Sequence, residues 1–364
     1  MNFTELKNYI DAIPTVFGVP GCDCSVYFNH KEVFRHSAGV RDSSKGEAVR
    51  ESDLYRIYSA TKVSTCVAAL QLVEQGKLKL DEPIQKYLPE YRSPKGTIED
   101  LFTMSAGLNY DRDTLELNAL YAKGGAASGT VPVIKAFLKG QKLDFEPHTH
   151  YQYSMCHDVL GAIIEIVSGQ KFGDYVKEQV TGPLGMQHFD YHLADKDKSD
   201  FASIYEYIPA TGEFKDLQMK FDAEFTSEYE SGGGGGVTTV SDYVLLADAL
   251  ANGDVGANGK CILKEETISL MKKNHLDAAR LLDFRRMAKY GYGYGLGVRT
   301  LINKAASESP LGEFGWDGAA GAYFLVDTEN KLAIFYAQHV LNYGDQFTVI
   351  HPNIRDRVYR GMRG

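Results

Sequence analysis

The spacing of hydrophobic positions changes several times along the chain. Phe3, Leu6, Ile10 and Ile13 recur every three or four residues. This predicts an amphipathic helix over 2–13, with Asn2 and Glu5 at its head and Pro14 ending or bending it. Runs over 24–29 and 32–40 read as two strands joined at Asn29-His30-Lys31, a hairpin. After Ala60, helical spacing returns in Val63, Cys66, Val67, Leu70 and Val73. Ala68, Ala69 and Leu72 widen that stripe, so this helix is expected to be buried on most sides, with Gly76 as its stop. Helices are also predicted over 98–104, 131–139, 172–179, 241–251, 267–272 and about 353–362, and a strongly apolar one runs from the loop at 153 to 168. The polar, glycine-bearing stretch 109–131 reads as a surface loop, and strand-like pieces lie near 201–207. Alternating glycine and aromatic residues over 290–298 suit a closely packed strand. Strands over 323–326 and 331–338 flank a turn at 327–330.

Strands therefore sit towards both ends, and helices fill the middle. The expected fold is α+β, with one antiparallel sheet built from both termini, flanked by terminal helices, plus a mostly helical lobe. Residues 1–80 and 285–364 make the sheet lobe, and 81–284 make the helical lobe of one catalytic domain. The helix after Ala60 falls where the lobes meet, the usual place for a pocket.

Composition narrows the function. With 364 residues and 44% hydrophobic content, the chain can bury a sizeable core. A net charge of -9 argues against nucleic acid and anionic membranes as partners. No apolar run reaches transmembrane length, and the opening Met-Asn-Phe-Thr-Glu-Leu-Lys lacks a basic start and an apolar core. Five cysteines suit a reducing compartment, and Cys22-Asp23-Cys24 has neither a zinc nor a thioredoxin spacing. A cytoplasmic protein without cofactor or metal is expected; the oligomeric state stays open.

The candidate chemistry begins at Ser59 and Lys62. Ser59 stands at the predicted helix N-terminus, where free N–H groups favour negative charge. Lys62 lies one turn on, so the hydroxyl and the amine are neighbours. Serine is a weak nucleophile until a base takes its proton, and lysine is a base only when neutral. Burial is expected to lower its proton affinity. Alone, Ser-x-x-Lys is a common match whose ordinary reading is an N-cap and a solvated lysine. Three more stretches change the odds: Tyr151 to Gly161, Ser231 to Gly236, and Phe314 to Gly321.

With these in order, the chain resembles the class C β-lactamase-like serine hydrolases, which include penicillin-binding DD-peptidases and serine carboxylesterases. Their three motifs stand here as Ser59–Lys62, Tyr153-Ser154-Met155 and Trp316-Asp317-Gly318. Matching stretches at 80–84, 101–108, 231–236 and 293–297 extend the resemblance over nearly the whole chain. It implies Ser59 as nucleophile, Lys62 as proton acceptor and Tyr153 as a second acid/base. It also implies an oxyanion hole from the N–H groups of Ser59 and Ala319. Lys62 and Tyr153 would share protons, so the base belongs to the pair.

Departures from the family pattern bear on substrate. Trp316 replaces the usual cation of the third motif, and Asp317 beside it would repel a substrate carboxylate by up to ~4 kcal/mol at ~4 Å and an effective dielectric of ~20. Met155 replaces an asparagine and cannot donate a hydrogen bond. Both changes point to small acyl esters, or amides, over penicillins and D-amino-acid peptides, with acyl transfer where an alcohol or amine replaces water. Arg285 and Arg286 are candidates to restore a cation. Tyr110 and Tyr121 are candidate pocket walls. His148, His150 and His157 cluster in sequence, but hydrogen-bonded histidines are the expectation there rather than a metal site. His148 takes the place of a glycine common in relatives.

Overall fold

The computed structural model describes residues 1–364 except 123–128, 193–196, 218–227, 254 and 288. In chain order it contains α1 (Thr4–Val16), β1 (Gly21–Phe28), β2 (Lys31–Asp42), β3 (Glu47–Ala48), β4 (Tyr55–Arg56), α2 (Thr61–Glu74) and α3 (Ile98–Phe102). Next come α4 (Leu115–Ala122), α5 (Thr130–Gly140), α6 (Cys156–Ser168), α7 (Phe172–Val176), β5 (Tyr205–Ile208), β6 (Glu213–Asp216) and β7 (Val237–Thr238). The chain finishes with α8 (Val240–Ala251), α9 (Glu265–Lys272), α10 (Ala278–Arg285), β8 (Tyr292–Tyr294), β9 (Arg299–Leu301), β10 (Phe314–Asp317), β11 (Tyr323–Asp327), β12 (Leu332–Gln338), β13 (Val340–Leu341) and α11 (His351–Arg363).

Eight strands form the main sheet, in the order β3-β2-β1-β12-β11-β10-β9-β8, and its pairings are antiparallel. Strands from the two ends of the chain meet at its centre, where Cys22 pairs with Gln338 and Phe28 with Leu332. Every residue of β12 is buried, so the sheet is covered on both faces. On one face, Leu6, Ile10 and Ile13 of α1 and Ile354 and Val358 of α11 pack with Val26, Leu325 and Ile334. On the other, α8 packs along β12, β1 and β11, and α2 packs against α6. The expected α+β layout, a sheet under terminal helices beside a helical region, is present.

Several local expectations shift. Pro14 does not end α1, because it lies in the last turn, and Phe17 N still bonds Ile13 O at 3.0 Å. The β1–β2 turn has positive φ at Asn29 and His30 (49° and 66°), the geometry of a two-residue hairpin. The stretch read as a loop over 109–131 contains α4, and its glycines at 124 and 125 lie outside the described residues.

Candidate active site

Ser59 sits in a short 3₁₀ turn, Tyr58–Ala60, that feeds into α2. Tyr58, just before it, takes a left-handed backbone with φ 45°. Such a conformation is costly for a non-glycine residue and persists only where its surroundings enforce it. Ala60 N bonds Ile57 O at 3.1 Å, and Tyr243 Oη donates to Ala60 O at 2.7 Å. Helix α2 is buried from Thr61 to Leu72, as its wide apolar cover predicts.

Lys62 is fully buried, and three oxygens surround its nitrogen. Ser59 Oγ lies at 3.3 Å, Tyr110 Oη at 3.3 Å and the Gly233 carbonyl at 2.6 Å. The nitrogen also stands 4.6 Å from the centre of the Tyr153 ring. An ammonium has three hydrogens to donate and nothing to accept with, so three oxygens match it. Burial works against that charge, but Tyr110, Tyr153 and Asp158 outweigh it and raise the lysine above its ordinary value. The direction is opposite to the one expected from burial alone. Burial alone was visible in the sequence, and the oxygens that answer it come from other segments.

Tyr153 stands in the loop before α6, between two aromatic rings. Its centroid is 5.8 Å from Tyr110 and 5.5 Å from Trp316. The Trp316 indole Nε1–H donates to Tyr153 Oη at 2.9 Å. Ser154 is buried, and its hydroxyl lies 3.1 Å from Cys156 Sγ. Met155 is buried, with its amide donating to Asn109 O at 3.3 Å.

The third motif ends β10 and arrives by close packing. A Cβ on Gly318 would stand 2.2 Å from the Ile57 carbonyl oxygen, so glycine lets this strand press against the segment before Ser59. Ala319 follows, its carbonyl held by Gln346 Nε2 at 2.9 Å. Asp317 is not an isolated carboxylate. It pairs with Lys289 and with Arg299 Nη1, the latter at 3.0 Å, and His351 Nδ1 lies at 3.9 Å. Burial would raise its proton affinity, yet Arg299 and Lys289 hold the carboxyl well below the usual range. The expected repulsion of a substrate carboxylate is therefore largely cancelled. Lys289 and Arg299 supply the cations, while Arg286 is 80% exposed and Arg285 is exposed at the end of α10.

The glycine run is a packed wall. Thr65 Oγ1 donates to Gly232 O at 2.7 Å, and Gly236 N donates to Thr61 Oγ1 at 3.0 Å. A Cβ on Gly232 would stand 2.5 Å from His157 O. The run thus lies wedged between α2 and α6.

Two chambers meet at Ser59 and Tyr153. The larger, about 590 Å³, is bordered by Met287, Lys289, Trp316 to Ala319, and the 341–348 segment including Tyr343 and Phe347. The smaller, about 300 Å³, is bordered by Tyr58, Tyr110, Arg112, Met155, Asp158, Tyr229, Ser231, Gly233 and Gly234. Tyr110 and Trp316 do wall these spaces. Tyr121 instead meets Arg112 at 2.9 Å.

The three histidines have separate partners. His148 pairs with Asp100 at 2.6 Å, and His150 with Asp283 at 2.8 Å. His157 is buried beside Cys66 and the Phe102 carbonyl. Backbone φ at His148 is 70°, the conformation for which glycine is favoured. No described helix is long and apolar enough to cross a membrane.

Comparison with known proteins places the chain among hydrolases and acyltransferases of similar sequence or fold. Esterase EstB of Burkholderia gladioli is 28% identical, over 92% of this chain and 90% of the esterase. The solved structure of EstCE1, a hydrolase with promiscuous acyltransferase activity, superposes with TM-score 0.79 at 21% identity, over 97% of both chains. A simvastatin synthase (LovD) mutant from Aspergillus terreus superposes with TM-score 0.81 at 18% identity, over 99% of this chain and 95% of the other. A family model described as Beta-lactamase matches residues 6–358, and the chain belongs to the beta-lactamase family.

Proposed function

We propose that this protein is a serine hydrolase of small acyl esters, or amides, that works through an acyl-enzyme on Ser59. The observation that carries the reading is the Ser59 hydroxyl 3.3 Å from a buried Lys62, where two chambers meet. The names of relatives, an esterase and the Penicillium decumbens acyltransferase calJ, support it.

In this reading Ser59 Oγ attacks the ester carbonyl, and its proton passes to the Lys62–Tyr153 pair. Lys62 as an ammonium stabilises negative charge developing on Ser59 Oγ or Tyr153 Oη. An amine beside a phenol and an ammonium beside a phenolate hold the same number of protons, so the pair takes and returns the serine proton as a unit, with negative charge on Tyr153 Oη in the ammonium form. The carbonyl oxygen, now negative, is held by the Ser59 and Ala319 amides at the rim of the larger chamber. Collapse breaks the bond to the alkoxide, which takes the proton from the pair and leaves. Water then gives its proton to the same pair, attacks the acyl-enzyme and frees the acid. An alcohol or amine in place of water makes the step an acyl transfer.

Turnover of p-nitrophenyl acetate or butyrate is expected, as is fluorophosphonate labelling that mass mapping assigns to Ser59. Both should vanish in Ser59→Ala. Labelling at another residue, or esterase activity that survives the substitution, would sink the reading. Lys289 beside Asp317 also gives the larger chamber a cation, which favours a second reading as a β-lactamase or D-amino-acid peptidase. Nitrocefin turned over faster than esters would select it. Labelling without turnover of either would mark a binding protein instead.

A further inference from the structure

The proposed reaction leaves one buried carboxylate beside the site without a task. Asp158, in the first turn of α6, is 2% exposed and borders the smaller chamber. Tyr229 Oη donates to its Oδ1 at 2.9 Å, and Ser231 Oγ donates to the same oxygen at 2.5 Å. Its Oδ2 lies flat against the glycine run, where a Cβ on Gly233 would stand 2.2 Å from it. The carbonyl of Gly233 is in turn the nearest partner of Lys62, at 2.6 Å. A buried carboxylate is costly unless it is hydrogen-bonded and answered by opposite charge. The two hydroxyls provide the bonds. Lys62, across one strand of backbone, provides opposite charge, and Arg112 lines the same chamber.

We propose that Asp158 is a positioning residue of the Ser59 site: it braces the Gly233 carbonyl against Lys62 and supplies the counter-charge that keeps the ammonium in place. The inference rests on the serine-hydrolase reading above. The groups facing Lys62 come from several elements. Cys66 lies on α2, Tyr110 before α4, Tyr153 before α6, and His157 and Asp158 on α6. Asp158 is the one carboxylate among these five. Without its charge, desolvation of the lysine is opposed by the Tyr110 and Tyr153 oxygens alone.

Asp158→Asn keeps the shape and keeps an oxygen that accepts from both Tyr229 and Ser231. The assay is kcat/KM on p-nitrophenyl butyrate across the alkaline range, beside the wild type. The basic limb of the variant is expected to move down by about one pH unit or more, the scale of one close charge partner. A purely structural role would lower activity at every pH alike, and a limb that superposes on the wild type overturns the proposal. Should Asp158→Asn not fold, Tyr229→Phe removes one hydroxyl from the brace. It is expected to lower kcat by about tenfold with KM nearly unchanged, the mark of an interaction made in the transition state. An unchanged kcat, or a change confined to KM, overturns the proposal. Wild-type labelling at Ser59 separates the two levels. If it fails, the hydrolase reading falls; if it succeeds while the variants behave as wild type, only the role of Asp158 falls.

Discussion

The Trp316 indole offers a direct way to weigh what Tyr153 does during the reaction. Trp316→Phe deletes one N–H, the 2.9 Å donor to Tyr153 Oη, and leaves an aromatic ring in place. Trp316 is 3% exposed, with its ring centroid 5.1 Å from Tyr294 and 5.5 Å from Tyr153. A bond to a neutral phenol contributes about 0.5–1.5 kcal/mol, and one to a charged oxygen about 1.5–3 kcal/mol. At about 1.4 kcal/mol per factor of ten, a Tyr153 that carries negative charge in the transition state predicts a kcat loss of about 10- to 150-fold. A Tyr153 that stays neutral predicts about tenfold at most. Steady-state kinetics on p-nitrophenyl butyrate should therefore show the larger loss, mostly in kcat. A double-mutant cycle with Tyr153→Phe isolates the pair, and the two substitutions together should cost much less than the sum of their separate effects. Additive losses, or a Trp316→Phe enzyme within about twofold of wild-type kcat, would refute the proton role given to Tyr153. Thermal melting serves as the control, since the smaller ring also costs stability by leaving a void.

Two predictions concern stability. Burial raises the Asp23 carboxyl to about 7, although Arg35 pairs with it at 2.5 Å. Because the folded value lies above the unfolded one, the stabilisation is complete below the unfolded value and is lost as pH rises through about 7. The fall in Tm between mildly acidic and mildly alkaline buffer should thus be steeper in the wild type than in Asp23→Asn, and parallel curves would contradict it. Gly297 has φ 83°, and a Cβ there would stand 2.1 Å from Cys66 Sγ on α2. Gly297→Ala is expected to cost about 2–4 kcal/mol through strain and overpacking. Calorimetry should show a clearly lower Tm, and a wild-type Tm would contradict the packing argument.

What the sequence reveals depends on how local the cause is. Helix α2 and the Ser59–Lys62 pair follow from spacing within one segment, because residues three apart on a helix must be neighbours. The β1–β2 hairpin is equally local. Tyr153 and Trp316 are found through ordered motifs, but the hydrogen bond between them joins residues 163 apart, and no periodicity encodes it. Tyr110 shows the same limit. It lies in a polar stretch without pattern, yet its hydroxyl reaches Lys62 at 3.3 Å. Charge state is harder still. Lys62 and Asp317 taken alone suggest a neutral amine and a repelling carboxylate, and partners from distant segments oppose the first and offset the second.

The left-handed kink at Tyr58 has a consequence for anyone who would transplant this chemistry. Copying serine and lysine, three apart, onto the front of an ordinary straight helix would reproduce the letters and miss the corner. Here the turn into the helix begins with a residue bent against its own preference, with the Arg56 guanidinium 4.9 Å above its ring. A scaffold able to borrow the pair must also supply a neighbourhood stiff enough to hold that bend.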